Sequence, residues 1–457
     1  MDVLILAAGL GTRMRSNLAK VLHQLDGRPL INHVCLTAKL LKPRKIYTVI
    51  GHQGEDVKEA VLDQISGEEA EFPWQKEQLG TGDAVNSARE FLENENSTLL
   101  VLSGDVPMIR SETLAKLVEQ HIYQNASCTI LTVELDDPTG YGRVVRDSSD
   151  IFSRIVEQKD ASDEELRVSE INSGIYCFDT KKLFEMLSRV SNDNAQGEYY
   201  LTDVPKLLLE SGDRVSLYKH HDRTEIEGIN NRKQLAEMEK NLRERVIERT
   251  LLESGATLVD PASVYISASA KIGRDTVIYP NVSIEGETEI GAGCTIRSGT
   301  RIADSKIGKN VSVLDSCLIT EAKVGDNCNV GPFAHLRPNA VMKEGAKVGN
   351  FVEMKKTILG KNSKANHLTY LGDATVGENS NIGAGTITCN YDGKNKHETN
   401  IGNRVKIGSD TMLVAPIKIG DDATTGAGTV ATKDVLPNTL VVGSPAREIK
   451  TIEKKEK

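Results

Sequence analysis

Residues 265–302 decide the fold of the C-terminal half, and they read YISASAKIGRDTVIYPNVSIEGETEIGAGCTIRSGTRI. Isoleucine recurs at every sixth position from Ile266 to Ile302, with small or polar residues in the intervals. A helix repeats every 3.6 residues and a strand every two, so neither element produces this spacing. A six-residue repeat is typical of a parallel β-helix, in which three flat faces form each turn and one branched aliphatic residue per repeat points inward. The sequence therefore predicts a solenoid.

The repeat continues beyond Ile302. After a five-residue step it resumes, with interruptions, at Ile307, Val313, Ile319, Val324, Val330, Val376, Ile382, Ile401, Ile407, Leu413 and Ile419. Counted to Val430, the pattern predicts roughly nine coils of three repeats. Glycine often follows the inward residue, as in Ile272-Gly273, Ile290-Gly291 and Ile307-Gly308. We expect these glycines to adopt the corner conformations that other residues avoid.

Composition restricts the class of protein. The formal net charge of −9 gives no long-range attraction for nucleic acid or an anionic membrane, so any bound phosphate must be held by local groups. The seven cysteines form no Cys-x-x-Cys pair and are odd in number, which indicates reduced thiols in a cytoplasmic protein. The apolar run at residues 3–8 lacks a basic flank and is too short for a signal peptide or a membrane span. We expect a cytoplasmic protein without membrane insertion.

The N-terminal half alternates short aliphatic runs with helical stretches, which predicts a doubly wound α/β domain with a parallel sheet. The predicted elements are strands at 3–8, 46–50 and 99–102 and helices near 30–41 and 56–62.

A glycine-rich turn, Gly9-Leu10-Gly11-Thr12-Arg13-Met14, follows the first predicted strand, where such folds bind phosphate. A dinucleotide fingerprint would need glycine at Met14, and no Gly-Lys-Ser/Thr follows, so the nicotinamide and P-loop interpretations both fail. Backbone N–H groups with Arg13 and Lys20 nearby suit a triphosphate, although a plain tight turn is the alternative.

Asp105 favours the phosphate-binding interpretation of the glycine-rich turn. It follows a second strand in Ser103-Gly104-Asp105-Val106-Pro107, at the carboxyl end of the sheet. A free carboxylate there can hold Mg²⁺ against phosphate oxygens, which is the usual requirement for transfer at a nucleotide phosphate.

Polar residues also interrupt the solenoid. Arg337, Lys355, Lys364, His367 and Tyr370 crowd one segment, and residues 390–396, NYDGKNK, break the repeat with a polar excursion. Two cations for a sugar phosphate and an imidazole that takes a proton from an amine make a coherent site for direct acyl transfer from a thioester. The alternative is a β-helix that serves only as a scaffold.

The motifs resemble a known family. Leu6-Ala7-Ala8-Gly9, Gln78-Leu79-Gly80-Thr81-Gly82, Gly104-Asp105-Val106-Pro107, Gly140-Tyr141-Gly142-Arg143 and Glu227-Gly228-Ile229-Asn230 are similar to motifs of the sugar-1-phosphate nucleotidyltransferases. With the β-helix attached, the chain resembles bacterial bifunctional enzymes that are N-acetylglucosamine-1-phosphate uridyltransferases and glucosamine-1-phosphate acetyltransferases. The resemblance implies a Rossmann-like uridyltransferase domain at 1–232, a linker helix at 233–253, and a left-handed β-helix acetyltransferase domain with a tail at 254–457.

For the first domain, the resemblance implies that the sugar phosphate attacks the α-phosphate of UTP and expels pyrophosphate, with Asp105 and Asn230 as Mg²⁺ ligands. Arg13 and Lys20 would face the phosphates as catalytic residues. The implied nucleotide and sugar contacts are Leu6, Ala7, Ala8, Gly9, Lys20, Gln75, Gly80, Thr81, Ser103, Gly104, Asp105, Gly142, Glu157, Asn172 and Asn230. Ser103 stands where some members carry tyrosine, so that contact differs.

For the second domain, the resemblance implies that His367 is the general base and that Glu353 orients the base or the amine. Arg337, Lys355, Tyr370 and Asn381 would bind glucosamine-1-phosphate. The implied acetyl-CoA contacts are Ala384, Asn390, Tyr391, Ser409 and Ala427, with Arg447 in the tail as a further candidate. A homotrimer with active sites in the clefts between prisms is expected.

Two alternatives belong to other classes. The chain could be a nucleotidyltransferase whose β-helix serves assembly, as in the ADP-glucose-forming type, or a non-catalytic regulatory subunit with both folds. The grouping of His367 and Tyr370 with Asn390 and Tyr391 disfavours the first, and intact Lys20, Asp105 and Asn230 disfavour the second.

Overall fold

The computed structural model describes residues 1–451, which form two compact units, one at residues 1–241 and one that begins at Leu242. The strands of the first unit are β1 (Asp2–Leu6), β2 (Gln24–Leu25), β3 (Arg28–Pro29), β4 (Ile46–Val49), β5 (Ala70–Glu71), β6 (Thr98–Ser103), β7 (Cys128–Glu134), β8 (Arg143–Arg146), β9 (Phe152–Val156), β10 (Glu170–Asp179) and β11 (Val215–His220). Its helices are α1 (Leu30–Leu40), α2 (Gly54–Leu62), α3 (Thr81–Asn86), α4 (Arg89–Leu92), α5 (Ser111–Tyr123), α6 (Thr180–Leu187) and α7 (Val204–Glu210). The predicted strands and helices of the N-terminal half are therefore confirmed.

The sheet of the first unit has the order β11-β7-β10-β6-β1-β4-β5, with the β8–β9 hairpin attached to β10. Strands β6, β1, β4 and β5 are parallel, as predicted. β10 is antiparallel to both of its neighbours, so the expectation of a wholly parallel sheet is wrong there. β10 follows the β8–β9 hairpin without a crossover helix, and strands joined in that way pair antiparallel.

The two faces of this sheet have separate hydrophobic cores. Val3 and Ile5 pack in one core, whereas Leu4 packs in the other, because successive side chains of a strand point to opposite faces. Leu6 pairs in register with Ser103, so the carboxyl ends of β1 and β6 lie side by side. The glycine-rich turn and Asp105 therefore meet at one edge of the sheet, where doubly wound folds bind ligands.

The second unit is a parallel β-helix with three faces, in the left-handed hexapeptide-repeat arrangement that was predicted. The first face contains Thr257–Leu258, Val277–Ile278, Thr295–Ile296, Ser312–Val313, Asn329–Val330, Lys347–Asn350, Lys364–His367, Asn381–Ile382, Lys406–Ile407, Thr424–Thr425, Thr439–Val442 and Arg447–Thr451. The second face contains Tyr265–Ile266, Ser283–Glu285, Arg301–Ala303, Leu318–Thr320, His335–Leu336, Glu353–Lys355, Tyr370–Gly372, Ile387–Cys389, Met412–Val414 and Val430–Ala431. The third face contains Lys271–Ile272, Glu289–Ile290, Lys306–Ile307, Lys323–Val324, Val341–Met342, Ile358–Leu359, Ala374–Val376, Thr399–Ile401 and Ile417–Ile419.

The predicted ladder residues fill the interior of the prism, with Ile272 only half-buried near the first coil. Between Val330 and Val376, where isoleucine and valine become scarce, the inward positions are taken by Leu336, Met342, Val348, Met354, Leu359, Ala365 and Leu371. Packing at these positions requires an apolar side chain of suitable volume, and the side chain need not be β-branched. The structural repeat therefore continues although isoleucine and valine no longer mark it in the sequence.

Beyond the first coil, which has an eight-residue step from Leu258 to Ile266, coils change length at the corner between the second and third faces. All four five-residue steps, such as Ile302 to Ile307, fall there, and the polar excursion after Cys389 leaves from the same corner. The middle residues of the short steps are Asp304, Glu321, Lys356 and Asp373, with φ of 47°, 47°, 47° and 48°. A residue in the left-handed backbone conformation therefore lets the chain turn this corner with one residue fewer.

The explanation expected for Gly273, Gly291 and Gly308 is wrong, because none of them has a positive φ. A Cβ atom on Gly291 would lie 2.5 Å from the carbonyl oxygen of Gly308 in the next coil. The close approach of stacked backbones, and not a special φ, therefore excludes a side chain here.

The helix α8 spans Arg232–Arg249, in the segment where a helix was predicted, and a π-helical turn at Thr250–Ser254 follows it. Met238 and Val246 are buried on its apolar side. Among residues 1–451 no helix is long and apolar enough to cross a membrane.

Replacing Gly291 by alanine should destabilise the β-helix by about 3 kcal/mol, since a backbone carbonyl cannot move away as a flexible side chain can. Gly428→Ala is the matched control, because φ is +70° there but nothing lies within 4 Å of the added Cβ. That control should lose only about 1 kcal/mol from its backbone conformation. Denaturant unfolding followed by hydrogen exchange in the β-helix measures both values, and equal losses would contradict the stacking explanation.

Candidate active sites

A cavity of about 280 Å³ opens at the carboxyl ends of β1 and β6. It is lined by Leu6, Ala7, Ala8, Gly9, Lys20, Val21, Gln75, Gln78, Gly80, Thr81, Ala84, Ser103, Asp105 and Glu198. Most residues predicted to contact UTP therefore lie together in one cavity. Val21, Ala84 and Glu198 were not predicted, because they belong to no recognisable motif.

The far wall of this cavity is held by backbone and amide hydrogen bonds. Gln75 Nε2 donates to the carbonyl oxygen of Gly80 at 3.2 Å and to Asp83 Oδ2 at 2.8 Å. Gly80 has φ of +112°, and a Cβ atom there would lie 2.6 Å from the carbonyl oxygen of Tyr199. Thr81 Oγ1 accepts from Leu201 N at 3.1 Å. The wall is therefore fixed by contacts within the chain itself.

Four side chains form a charged cluster at the mouth of the cavity. The Lys20 ammonium pairs with the Asp105 carboxylate and donates to Asn230 Oδ1 at 3.1 Å, and Arg13 donates to the same oxygen at 2.9 Å. Oxygens of Asp105 and Asn230 thus converge on a point that a cation already occupies. Gly104 N donates to the Leu6 carbonyl at 2.9 Å and fixes the turn that presents Asp105.

The donor set fits a divalent cation. Carboxylate and amide oxygens are the ligands that Mg²⁺ prefers, with phosphate oxygens and water completing the shell. The part of the chain that the structure describes holds no group of three or more His, Cys, Asp or Glu side chains suited to a metal.

Gly142, Glu157 and Asn172 meet in a second group beside the sheet. Asn172 N donates to the Gly142 carbonyl at 2.9 Å, and a Cβ on Gly142 would lie 3.6 Å from both carboxylate oxygens of Glu157. Thr202 Oγ1 donates to Glu157 Oε1 at 3.0 Å. Burial raises the pKa of Glu157, and the nearby carboxylates of Asp160 and Asp203 add to the shift.

A β-bulge in β10 orients Asn172. The register with β7 shifts between Asn172 and Tyr176, and Gly174 within the bulge has φ of +78°. The Asn172 amide donates to the Tyr176 hydroxyl at 2.6 Å. Thr202 and Tyr176 were not predicted, because the Thr202 contact joins a distant 3-10 turn to Glu157 and the Tyr176 contact depends on the bulge within β10.

In the β-helix, His367 lies at the corner between the first and second faces. Its Nδ1 is 2.9 Å from Asn350 Oδ1, and Asn350 pairs with His367 in register one coil below. An amide oxygen accepts, so Nδ1 carries the proton and Nε2 keeps a free lone pair. The residue that touches the imidazole is thus Asn350, whereas Glu353, which was expected to orient the base or the amine, accepts from Arg337 at 2.7 Å.

Two cations of the second face, Arg337 and Lys355, meet a third, Lys396, from the polar excursion. Leu336 and Met354 pair in register, which places Arg337 directly below Lys355. The hydrogen bond and charge of Lys396, together with Arg337, lower the pKa of Lys355. Like charges brought this close favour an anion between them.

Gly372 provides the space beside these cations. A Cβ there would collide with the Tyr370 hydroxyl and would lie 2.7 Å from Asn390 Nδ2. Asn390 Nδ2 in turn donates to Asp373 Oδ2 at 2.5 Å. The structure therefore brings Tyr370, Asn390 and Lys355 to one place, and Gly372 is a residue that the motif analysis missed.

The predicted acetyl-CoA residues stack above His367. Gly385 N donates to the His367 carbonyl at 3.3 Å, Asp410 N to that of Ala384 at 2.7 Å, and Gly428 N to that of Ser409 at 2.8 Å. Ala384, Ser409 and Ala427 thus form a column of small residues along one corner. Arg447 begins the antiparallel strand at the last coils and is exposed, and Tyr391 is exposed on the excursion.

Asn381 stands apart from the other predicted acceptor residues. It pairs with Lys364 on the first face, whereas His367 lies three residues further along the Lys364 strand. At about 3.3 Å per residue, this separates Asn381 from the corner by roughly 10 Å. Arg337, Lys355 and Tyr370 belong to the second face, so one chain does not assemble the whole acceptor set.

Comparison with known proteins agrees with both units. Residues 2–224 match the family model described as nucleotidyl transferase, residues 261–341 that of the GMPPB C-terminal domain, and residues 398–433 that of the hexapeptide repeat of succinyl-transferase. The chain is 48% identical over 442 residues to the bifunctional protein GlmU of Syntrophomonas wolfei, with 97% of each chain covered. It is 48% identical over 446 residues to that of Heliobacterium modesticaldum, which covers 98% of this chain and 96% of the relative. It is 46% identical over 446 residues to that of Listeria monocytogenes, with the same coverage.

The fold and the two polar sites define a two-unit transferase, in which a nucleotidyltransferase precedes a hexapeptide-repeat acyltransferase. Near-full-length identity shows that the chain belongs to the family of the bifunctional protein GlmU. Its activities are uridyl transfer and acetyl transfer in the synthesis of UDP-N-acetylglucosamine.

Glu157→Gln should make the stability of the first unit less dependent on pH. Because the folded-state pKa of Glu157 is raised, the native chain is most stable below the unfolded-state value of about 4.3 and loses stability as the pH rises through the folded-state value. The variant lacks this loss, so its advantage should be absent near pH 4 and present at pH 7. Thermal unfolding at both pH values measures this, and a variant less stable by the same amount at both would contradict it.

Lys396→Met should shift the alkaline behaviour of the acetyl-transfer site. Because Lys396 lowers the pKa of Lys355, removing its charge should delay deprotonation of Lys355 to higher pH. The KM for glucosamine-1-phosphate should then start to rise at a higher pH than in the native enzyme, and at neutral pH it should be roughly tenfold larger because one charged contact is lost. Lys394→Met is the control on the same excursion, and an identical pH profile for the two variants would contradict the assignment.

Proposed function

We propose that the second unit transfers an acetyl group from acetyl-CoA to the amine of glucosamine-1-phosphate, with His367 as the general base. The first unit then transfers uridylate from UTP to the product. The observation that carries this proposal is the Asn350–His367 hydrogen bond at the foot of a column of small residues. The group of Arg337, Lys355 and Lys396 supports it by offering an anion site on the same coils. A scaffold has no need of an imidazole whose second nitrogen keeps a free lone pair. The N-terminal cavity supplies the separate nucleotide site.

In uridyl transfer, an oxygen of the sugar phosphate attacks the α-phosphate of UTP, a P–O bond forms, and the bond to pyrophosphate breaks. Catalysis of this kind depends on positioning and on neutralised charge, so no side-chain nucleophile is required. Arg13 and Lys20 bind the phosphates, while Gln75 and the Gly80 backbone hold the nucleotide. Glu157 and Asn172 bind the sugar.

We assign the metal to Mg²⁺, held by Asp105 and Asn230. When bound, it supplies Lewis-acid stabilisation of charge on the phosphates. Lys20 contacts both of these residues, so its ammonium lies beside the proposed ion position.

In acetyl transfer, Nε2 of His367 takes a proton from the amine of glucosamine-1-phosphate. The nitrogen attacks the thioester carbonyl, the C–N bond forms, the C–S bond breaks, and the thiolate of CoA leaves with a proton. Arg337, Lys355 and Tyr370 hold the phosphate. Ala384, Ser409 and Ala427 give the pantetheine arm a path without bulky side chains, and Asn390, Tyr391 and Arg447 complete the CoA site.

The position of Asn381 supports a homotrimer, with each acetyl-transfer site shared by two chains, and the unpaired cysteines support a cytoplasmic location. On its own chain Asn381 lies too far from the corner to contact a sugar held by Lys355 and Tyr370. A cyclic assembly places the first face of one prism against the corner of the next. Each cleft then combines His367 of one chain with Asn381 of its neighbour.

Two substitutions should separate the activities. His367→Ala should lower acetyl transfer by roughly 100- to 10,000-fold and spare uridyl transfer, since only one reaction needs the base. Asp105→Asn, which keeps the size but removes the charge, should do the reverse and weaken the Mg²⁺ dependence. Initial rates of both half-reactions measure this, each variant serving as control for the other, and loss of both activities in either variant would contradict the assignment.

A further inference from the structure

Three lysines and one asparagine form a single outward column on the first face, here called the lysine column. Lys347 pairs with Lys364, Lys364 with Asn381, and Asn381 with Lys406, in successive coils. The lysines are exposed, and within residues 1–451 none of the three has a carboxylate partner. The acids at the preceding corner, Glu344 and Glu378, act on Lys361 instead.

The third face shows how this β-helix treats stacked lysines elsewhere. There Glu289 lies between Lys271 and Lys306, at 3.2 and 3.6 Å from their ammonium groups. Lys306 also pairs directly with Lys323 on that face, so adjacent lysines are not confined to the lysine column, but Glu289 offsets the charge of Lys306. Like charges on directly paired strands destabilise a sheet, and a carboxylate between them relieves that repulsion. In the lysine column Lys347 and Lys364 are neighbours with no acid between them, so the column keeps a concentrated positive charge.

A cavity of about 440 Å³ lies over this column, lined by Lys347, Lys364, Asn381, Asn362, Asn379 and Ser380. Its side chains provide ammonium and amide donors and no carboxylate, whereas the buried Ser380 hydroxyl donates to the Gly402 carbonyl at 2.8 Å. Strands about 4.8 Å apart allow both ammonium groups to reach the oxygens of a single phosphate. The chemistry of the cavity therefore suits a phosphate monoester.

The height of the lysine column along the prism indicates which phosphate-bearing substrate this cavity would bind. The coil that carries Lys347 on its first face carries Lys355 on its second, and the next coil carries Lys364 and Tyr370. In a threefold assembly equal coils lie at equal height. The lysine column of one chain would thus face Lys355 and Tyr370 of the next.

We propose that Lys347 and Lys364 bind the phosphate of glucosamine-1-phosphate in the acetyl-transfer site of the neighbouring chain, opposite Arg337 and Lys355. This inference rests on the shared site under the proposed function. It adds two charged side chains to the acceptor site, so that residues of both chains bind the same phosphate.

Kinetics of the full-length enzyme give the first test. Lys347→Ala/Lys364→Ala should raise the KM for glucosamine-1-phosphate at least tenfold and raise the competitive inhibition constant of inorganic phosphate by the same factor. The KM for acetyl-CoA and the rate of uridyl transfer should stay within twofold. Lys361→Ala, whose ammonium lies 2.8 Å from Glu344, is the matched control and should change neither constant. An unchanged KM for glucosamine-1-phosphate, or a rise in the KM for acetyl-CoA instead, would overturn the proposal.

Mixed assemblies give the second test. Chains with His367→Ala are coexpressed with chains carrying Lys347→Glu/Lys364→Glu, and acetyl transfer is measured at low glucosamine-1-phosphate. If the lysines serve the neighbouring chain, each mixed trimer regains one native site and the preparation recovers about one quarter of native activity. No recovery means that the lysines do not act across the interface. Sedimentation confirms that the assembly state is unchanged.

A second mixture of chains distinguishes the proposed role of the lysine column from the proposal that two chains share each acetyl-transfer site. His367→Ala chains are combined with Asn381→Ala chains under the same conditions. Recovery here but not with the lysine variant would leave the shared site intact and reject the lysine column as a ligand. Failure of both mixtures would reject the shared site itself.

Discussion

Each coil of the β-helix must hydrogen-bond to the next at about 4.8 Å, and the rest of the second unit depends on that constraint. It allows only glycine where two backbones approach, as at Gly291 and Gly308. It also fixes the phase of the chain, so residues one coil apart in sequence become neighbours in space. After the eight-residue step from Leu258 to Ile266 in the first coil, variation in length falls at the corner between the second and third faces, and the polar excursion leaves from there.

Stacking of this kind turns sequence positions into functional columns. Asn350 lies under His367, Arg337 under Lys355, and Ala384 under Ser409. The first unit uses a different principle, because neighbouring parallel strands bring the glycine-rich turn and the Asp105 loop to one edge of the sheet. In both units a rigid backbone positions the charged groups, and catalysis draws on prearranged electrostatics.

The fold could be predicted because periodicity reports directly on packing, and the cavity residues could be predicted because their motifs follow strands. Asn350 could not be predicted, because its contact with His367 exists only once the two coils are stacked. The Thr202–Glu157 contact depends on the packing of a distant 3-10 turn, and the bulge at Gly174 depends on strand pairing, neither of which a local pattern encodes. Motif matching also grouped Asn381 with Lys355 and Tyr370, although one chain holds them on different faces.

The central claim is that one chain carries both activities and uses them in order. The most direct measurement is pyrophosphate release from UTP, Mg²⁺ and glucosamine-1-phosphate, with and without acetyl-CoA, and with N-acetylglucosamine-1-phosphate as the control. The account predicts release from glucosamine-1-phosphate only when acetyl-CoA is present, and release from the control in either case. Release from the control alone, even with acetyl-CoA added, would contradict the account.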